Sequence, residues 1–355
     1  MKKRFKNFNV SHKHIVFLTL IFVLFYWFRL NLPEKNYFGS DFQNYYNESI
    51  KLMLGKSIYS RILKESITIQ SSDPTQKYAT AFPSVYVIIG SFAVYGQFTG
   101  KMLYLMLQKL ILIVDLLSGL LIFSYTKKKS NIWVAYTALI FWLFNRWTSR
   151  AYVKIVMDPI PFFFLICSLY WFESKKKLYA GFLALSILFK HFGLFLIPFY
   201  TISWYKKGNF KEMLTYLSIV LMPLAITSFP FIIRDIKGFI FSVGFNLTRQ
   251  QDPDFHLPFL DKIYYQSYQV TSMLSKLMII MIGKLYFFGT YTLLLISHLF
   301  NRKSITGVVA LVFIWFFYFH SVYLAQYNIW MVGMLLFNMS AFYNFSFTKG
   351  NNEKL

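Results

Sequence analysis

Long apolar runs alternate with short basic clusters along this sequence. The apolar run 15–30 follows the basic start MKKRFKNFNVSHKH and has the length of a membrane-spanning helix. It ends in polar residues without a small-residue cleavage site, so we expect a retained first helix rather than a cleaved signal peptide. The apolar runs that follow predict an all-α integral membrane protein.

The basic clusters predict how the chain threads the membrane. They lie at 127–129, 175–177, 206–211, 302–303 and 349–354. Because cytoplasmic loops carry the excess of Lys and Arg, an even number of crossings should separate any two clusters. This parity predicts about ten transmembrane helices, with the N- and C-termini in the cytoplasm. It also predicts that 178–204, which has basic flanks on both sides, is a hairpin that turns at 189–192.

The same threading leaves two long segments on the extracytoplasmic side. The first is the loop 31–101, in which 41–57 has the length and mixed pattern of an interfacial helix. Parity allows no crossing at 82–95, so we expect a second interfacial helix there. The late loop is 234–271. No repeat, low-complexity tract or linker divides the sequence, which predicts a single transmembrane domain over 1–355.

Composition narrows the class further. The 355 residues are 56% hydrophobic and only 14% charged, which excludes a soluble globular enzyme. The single cysteine, Cys167, excludes an intramolecular disulfide and a thiolate metal cluster. The formal net charge is +23, but the basic residues form short clusters between apolar runs. We therefore interpret them as topology signals and expect no nucleic acid partner.

On this topology the remaining polar chemistry collects on the extracytoplasmic side. The ionisable groups placed there are Asp41, Arg146, Arg150, Lys154, Asp158, Lys190, His191, Arg249, Asp252, Asp254, His256, Asp261 and His320. A transporter or channel would instead place ionisable groups near the middle of the bilayer. Asp115, on the second crossing, is the one residue with that placement. The asymmetry favours chemistry at the outer membrane surface.

The first external loop carries the strongest motif. The stretches GSDFQNYY at 39–46 and LMLGKSIY at 52–59 resemble the start of this loop in polytopic GT-C glycosyltransferases, especially the polyprenyl-phosphate-sugar-dependent mannosyltransferase-like branch. The resemblance implies that Asp41 is the catalytic base and that Tyr45 contacts sugar or acceptor. A carboxylate at the membrane surface can take the proton of an attacking hydroxyl. Asp41 is equally suited to cap the helix that follows it, and the two roles are compatible.

Further stretches resemble the same family in the expected order. They are YATAFPSVY at 78–86, the helix 109–118 with Asp115, DPIP at 158–161, AGF to LIP at 180–198, and HSVYLAQYNIW at 320–330. The resemblance implies sugar or acceptor contacts for Asp158, His191, Gln326 and Tyr327. The family's Asp-x-x-Pro element usually follows Gly-Gln, but Val156-Met157 stands here, and a helix N-cap at Asp158 explains the residue equally well. Gln326 and Tyr327 belong to an aromatic segment that would serve as well as a membrane-interface anchor.

Several basic residues are candidates for holding the donor phosphate. Lys190 lies at the predicted hairpin turn, where it could meet a lipid-linked phosphate or merely snorkel to the interface. Arg146, Arg150 and Lys154 violate the positive-inside trend, which raises their functional interest. Arg249 lies in the late loop, where its neighbour His256 is a plausible sugar contact.

The late loop also contains Asp252-Pro253-Asp254, a spacing that binds divalent metal in many nucleotide-sugar transferases. Nucleotide sugars are not available on the outer side of the membrane. We therefore expect no metal at Asp252 and Asp254 and no other cofactor.

Together these features predict a GT-C-like hexosyltransferase in a bacterial plasma membrane. Its donor would be a polyprenyl-phosphate-linked hexose of the mannose type, and its acceptor a lipid-linked or cell-envelope glycan. Transfer would occur with inversion at the extracytoplasmic face, and membrane lipids would surround the helices. A flippase or transporter of lipid-linked oligosaccharide, and a glycan polymerase that uses a lipid-diphosphate donor, are the alternatives that the sequence leaves open.

Overall fold

The described part of the chain is entirely helical. The computed structural model describes residues 12–32, 40–56, 58, 84–96, 100–172, 176–206, 210–240, 273–300, 304–319 and 327–340. The late loop at 241–271, with Arg249, Asp252, Asp254 and His256, lies outside these residues, as does Gln326. Within the described ranges no strand occurs, which confirms the predicted all-α class.

The helices follow one another with short connections. They are α1 His12–Leu30, α2 Ser40–Met53, α3 Ser84–Tyr95, α4 Gly100–Lys129, α5 Ile132–Phe144, α6 Arg146–Lys154, α7 Pro159–Trp171, α8 Lys176–Phe189, a 3-10 helix His191–Leu196, α9 Ile197–Tyr205, α10 Phe210–Arg234, α11 Met273–Phe300, α12 Ile305–Phe319 and α13 Asn328–Phe337.

Three helices are long and apolar enough to cross a membrane, namely α1, α4 and α10. Shorter apolar helices occur within α7, α8, α11, α12 and α13. Large apolar side chains on the outside of these helices are exposed, for example Trp27 at 65% and Ile226 at 65%. Such a surface is stable against lipid and not against water. The structure thus supports membrane association of an all-helical chain.

The first core forms where α1, α4 and α5 pack side by side. His14 at the start of α1 bonds the Tyr136 hydroxyl near the start of α5, and Phe28 meets Phe144 where both helices end. These two helices therefore run in the same direction. Helix α4 runs opposite to them, because Phe123 near its end lies 5.1 Å from Tyr136.

Helix α4 is longer than its neighbours, and its first half reaches beyond them into a second core. This second core joins α2, α3 and the segment before α7, and it includes Phe42, Tyr86, Tyr104 and Met157. Helix α2 packs along α3, where Gly90 approaches the Ser49 backbone so closely that an added Cβ would lie 3.1 Å from its oxygen. Both segments predicted as interfacial are thus helices that cover the end of the bundle.

The predicted hairpin at 178–204 is confirmed. Helix α8 ends at Phe189, Lys190 is extended, and the 3-10 helix then leads into α9. Tyr179 at the start of α8 lies 5.9 Å from Trp204 at the end of α9, so the chain turns back on itself. The two basic flanks consequently lie at the same end of the molecule.

One predicted element is different. The polar segment 146–154 was expected to be a turn, but it forms the helix α6. Asn145 caps this helix, since its side-chain oxygen accepts hydrogen bonds from the backbone N–H groups of Trp147 and Thr148. The helix ends at Ile155, which adopts the left-handed conformation with φ 50°. This tight exit turns the chain directly into α7.

Candidate functional site

Asp158 lies at the mouth of α7, immediately after the left-handed turn at Ile155. Pro159 opens the helix, and its fixed φ suits the first helical position. The Asp158 side chain makes no capping hydrogen bond and is only 1% exposed. The capping role considered from the sequence is therefore wrong, and the carboxylate is directed to other partners.

The first partner is Lys190, at the turn between α8 and the 3-10 helix. Its ammonium nitrogen lies 2.6 Å from Oδ1 and 2.7 Å from Oδ2 of Asp158. The same nitrogen lies 5.1 Å from the ring centre of Phe192 and 4.9 Å from that of Tyr327, within range of cation–π attraction. The ammonium is thus held by a carboxylate and two aromatic rings.

The second partner is Trp330 on α13. Its indole N–H donates to Asp158 Oδ1 at 2.6 Å. Trp330 is itself fixed between Phe162 and Phe313, with ring centres 5.8 and 5.2 Å away. Asp158 therefore has both carboxylate oxygens occupied, and a rigid aromatic side chain sets its orientation.

This arrangement offers one accessible charged group. An ammonium has three N–H donors, and Asp158 receives two of them here. Lys190 retains 17% side-chain exposure, whereas Asp158 has 1%. A ligand approaching from outside would meet the Lys190 nitrogen with its remaining N–H, and it would not meet the carboxylate. Asp158 therefore lies where it orients Lys190.

Asp41 lies near this cluster through its helix. It belongs to α2, although its side chain is outside the described part of the chain. The next residue, Phe42, is buried with its ring centre 5.3 Å from that of Tyr104 on α4. The Tyr104 hydroxyl donates to the backbone oxygen of Val153 at 2.9 Å. Val153 lies five residues before Asp158, so the start of α2 borders the segment that carries the cluster.

The basic residues of α6 form a row. Arg146, Arg150 and Lys154 follow one another at intervals of four residues, which places them along one face of the helix. The opposite side is buried through Thr148 and Tyr152. Arg146 and Lys154 are exposed and Arg150 is half-buried, so the row faces outward. It points to the surroundings of the bundle rather than into the Asp158 cluster.

The remaining predicted contacts are less central. His191 begins the 3-10 helix next to Lys190 and is half-buried, with its ring 5.5 Å from Phe192. Tyr45 is half-buried on α2, 6.0 Å from the ring of Tyr86. In the described ranges no group of three or more His, Cys, Asp or Glu side chains is placed to hold a metal ion.

Asp115 has a partner that sequence reasoning missed. Its Oδ2 lies 3.2 Å from Arg29 Nη2, and the two side chains are 1% and 0% exposed. The same nitrogen donates to Thr148 Oγ1 at 2.6 Å and to the Leu143 backbone oxygen at 3.2 Å. Arg29 thus ties α1 to α4, α5 and α6. An arginine at the end of the first apolar run was the available signal.

Trp330 was also missed as a site residue, because an aromatic residue near a predicted membrane boundary is typical of an interface anchor. Comparison of the chain with protein-family models, curated proteins and solved structures found no match. The interpretation of the cluster therefore depends on its own geometry.

Proposed function

We propose that this chain is an integral membrane glycosyltransferase that moves a hexose from a polyprenyl-phosphate donor to a glycan acceptor. One observation carries the proposal. Three separate segments that resemble the GT-C family, at 158–161, 180–198 and 320–330, meet in a single cluster through Asp158, Lys190, Tyr327 and Trp330. Motifs that matched by chance would have no reason to converge in space.

The proposed topology has about ten crossings, with the cluster on the extracytoplasmic side and both termini in the cytoplasm. Contacts between helix ends support it. Tyr125 stacks on Phe337 with ring centres 4.1 Å apart and also meets Tyr170. The ends of α4, α7 and α13 therefore lie together beside the basic cluster 127–129. The Asp158 cluster lies at the opposite ends of α7 and α13.

In the proposed reaction the acceptor hydroxyl attacks the anomeric carbon of the donor hexose. The new C–O bond forms as the bond between that carbon and the phosphate oxygen breaks, which inverts the configuration. Asp41 takes the hydroxyl proton, and polyprenyl phosphate leaves with the bonding electron pair. Lys190 stabilises the charge that develops on the phosphate, and the α6 row with Arg249 adds positive potential around it.

Asp158 takes a different part from the sugar contact expected from the sequence. We assign it the positioning of Lys190, because a preorganised donor does not have to reorganise during the reaction. Trp330 in turn holds Asp158. Tyr327 lies against the Lys190 ammonium, so its ring is well placed to border the donor.

The transporter alternative depended on Asp115. Its Oδ2 is bound by Arg29, and neither side chain is accessible. A pair this deeply buried joins helices and does not offer a path for a substrate. The polymerase alternative differs only in the donor, which carries a diphosphate instead of a monophosphate.

The test is transfer of labelled hexose from synthetic polyprenyl-phosphate-hexose by the purified protein in nanodiscs. We expect transfer or donor hydrolysis by the wild type and loss of both in Asp41→Asn with an unchanged melting curve. Glu48→Gln is the matched control, since it removes a second carboxylate from the same helix and should retain activity. Activity in Asp41→Asn would refute the base, and turnover of diphosphate donors alone would favour the polymerase.

A further inference from the structure

A row of stacked aromatic rings runs along the contact between α7 and α8. Phe189 stacks on Phe164 at 5.9 Å, Phe164 on Phe182 at 6.3 Å, and Phe182 on Trp171 at 5.3 Å between ring centres. The angles between successive ring planes are 21°, 22° and 21°. We call Phe164, Trp171, Phe182 and Phe189 the aromatic row.

The row is open on its outer side. All four rings are half-buried, unlike the buried side chains on the opposite face of α7. On α8, Leu178 and Leu185 flank Phe182 and are 43% and 37% exposed. A Cβ added at the neighbouring Gly181 would meet no atom within 4 Å. The ring faces therefore border space that the described helices do not fill.

The position of the row is specific. Phe189 immediately precedes Lys190, so the outer end of the row adjoins the ammonium of the Asp158 cluster. Phe182 lies two helical turns deeper than Phe189, about 10 Å along the axis, and Trp171 lies at the far end of α7. The row thus follows the depth of roughly one bilayer leaflet, whose hydrocarbon thickness is about 15 Å.

We propose that the aromatic row binds the polyprenyl tail of the lipid-phosphate donor, with the phosphate at Lys190. This inference rests on the proposed function. The occupant must be apolar along the row and anionic at its Lys190 end, which describes a lipid with a single terminal phosphate. Isoprene units are flat and stiff at each double bond, so they lie against parallel ring faces with little loss of freedom. A flexible saturated chain would lose more entropy on binding there.

The experiment measures dissociation constants for undecaprenyl phosphate and geranyl phosphate, which share the phosphate and differ in tail length. The purified full chain is used in nanodiscs. Phe164→Leu with Phe182→Leu should weaken undecaprenyl phosphate about tenfold and geranyl phosphate about twofold or less. Lys190→Gln should weaken both ligands by the same factor.

Two controls define the result. Phe141→Leu with Phe229→Leu removes two rings that are 62% and 61% exposed on other helices, and it should leave both constants unchanged. Dioleoyl phosphatidic acid tests whether an ordinary lipid occupies the row, and its affinity should not depend on Phe164 and Phe182. Equal losses in the two double variants, or an equal loss for phosphatidic acid, would overturn the proposal.

The inference and the proposed function fail separately. Tail-dependent binding that needs Phe164 and Phe182, without any sugar transfer, would support the row and refute the transferase. Sugar transfer that is unaffected in the Phe164 and Phe182 double variant, with unchanged binding, would support the transferase and place the tail elsewhere.

Discussion

The molecule contains two ion pairs between distant helical segments, and their geometry differs. Arg29 and Asp115 are 0% and 1% exposed and meet through one nitrogen and one oxygen. Among the described residues, Arg29 Nε, Arg29 Nη1 and Asp115 Oδ1 have no hydrogen-bond partner. Asp158 instead has both oxygens bonded, and its partner Lys190 is 17% exposed.

The comparison separates a structural pair from a candidate site. Full burial with incomplete hydrogen bonding is a costly arrangement that serves the contact between helices. Complete satisfaction of the acid, combined with an opening at the base, presents a fixed cation to the outside. Burial alone would have ranked Asp115 first. The predictions that follow test this division.

The largest expected effect is on stability, at Arg29. Arg29→Leu leaves Asp115 as an uncompensated buried charge, and we expect a loss of about 3–5 kcal/mol in the free energy of unfolding. The measurement is the melting temperature and the yield of monodisperse protein in detergent. The double variant Arg29→Met with Asp115→Leu should recover most of the loss. No recovery would mean that the pair does more than neutralise itself.

Lys190→Gln should give the opposite pattern, with activity lost and the fold kept. Removing one preorganised donor to a developing oxyanion lowers kcat by about 10²–10³-fold. Sugar transfer and melting temperature should be measured on the same preparation. Lys190→Arg keeps the charge and should recover part of kcat. A large fall in melting temperature without selective loss of kcat would make this pair structural as well.

A smaller effect is expected at Trp330. Trp330→Phe keeps a ring between Phe162 and Phe313 but removes the N–H that donates to Asp158. A hydrogen bond to a charged group contributes about 1.5–3 kcal/mol, so kcat should fall by roughly ten- to one-hundredfold if orientation of Asp158 matters to Lys190. KM should change little. A change in KM alone would contradict a positioning role.

The smallest effect is expected at Arg146 on the exposed row of α6. Arg146→Gln should change the free energy of unfolding by less than about 0.5 kcal/mol, because exposed substitutions are usually that small. Its effect on transfer should be about threefold or less and should diminish at high salt, as for any screened charge. A loss as large as that of Lys190→Gln would place Arg146 at the donor itself.

The sequence was informative where local rules act. Charge parity located the turn at Lys190, and the apolar patterns located α5 and α7 to within one residue at most ends. The helix α6 escaped prediction although Asn145 is a common capping residue, because its basic residues favoured a turn. The partners of Asp158 and Asp115 could not be predicted. They lie 32, 172 and 86 residues away, and no periodicity specifies which distant side chains meet.

The contact of Arg29 has a consequence for the birth of the protein. Asp115 follows Arg29 by 86 residues, so α1 leaves the ribosome with an arginine whose counter-ion is not yet synthesised. At ordinary translation rates the delay is roughly 4–17 s. During that interval Arg29 is best kept at the lipid headgroups or inside the insertion machinery. The first helix therefore reaches its final depth only when the fourth arrives, which makes early insertion reversible and α4 the step that completes it.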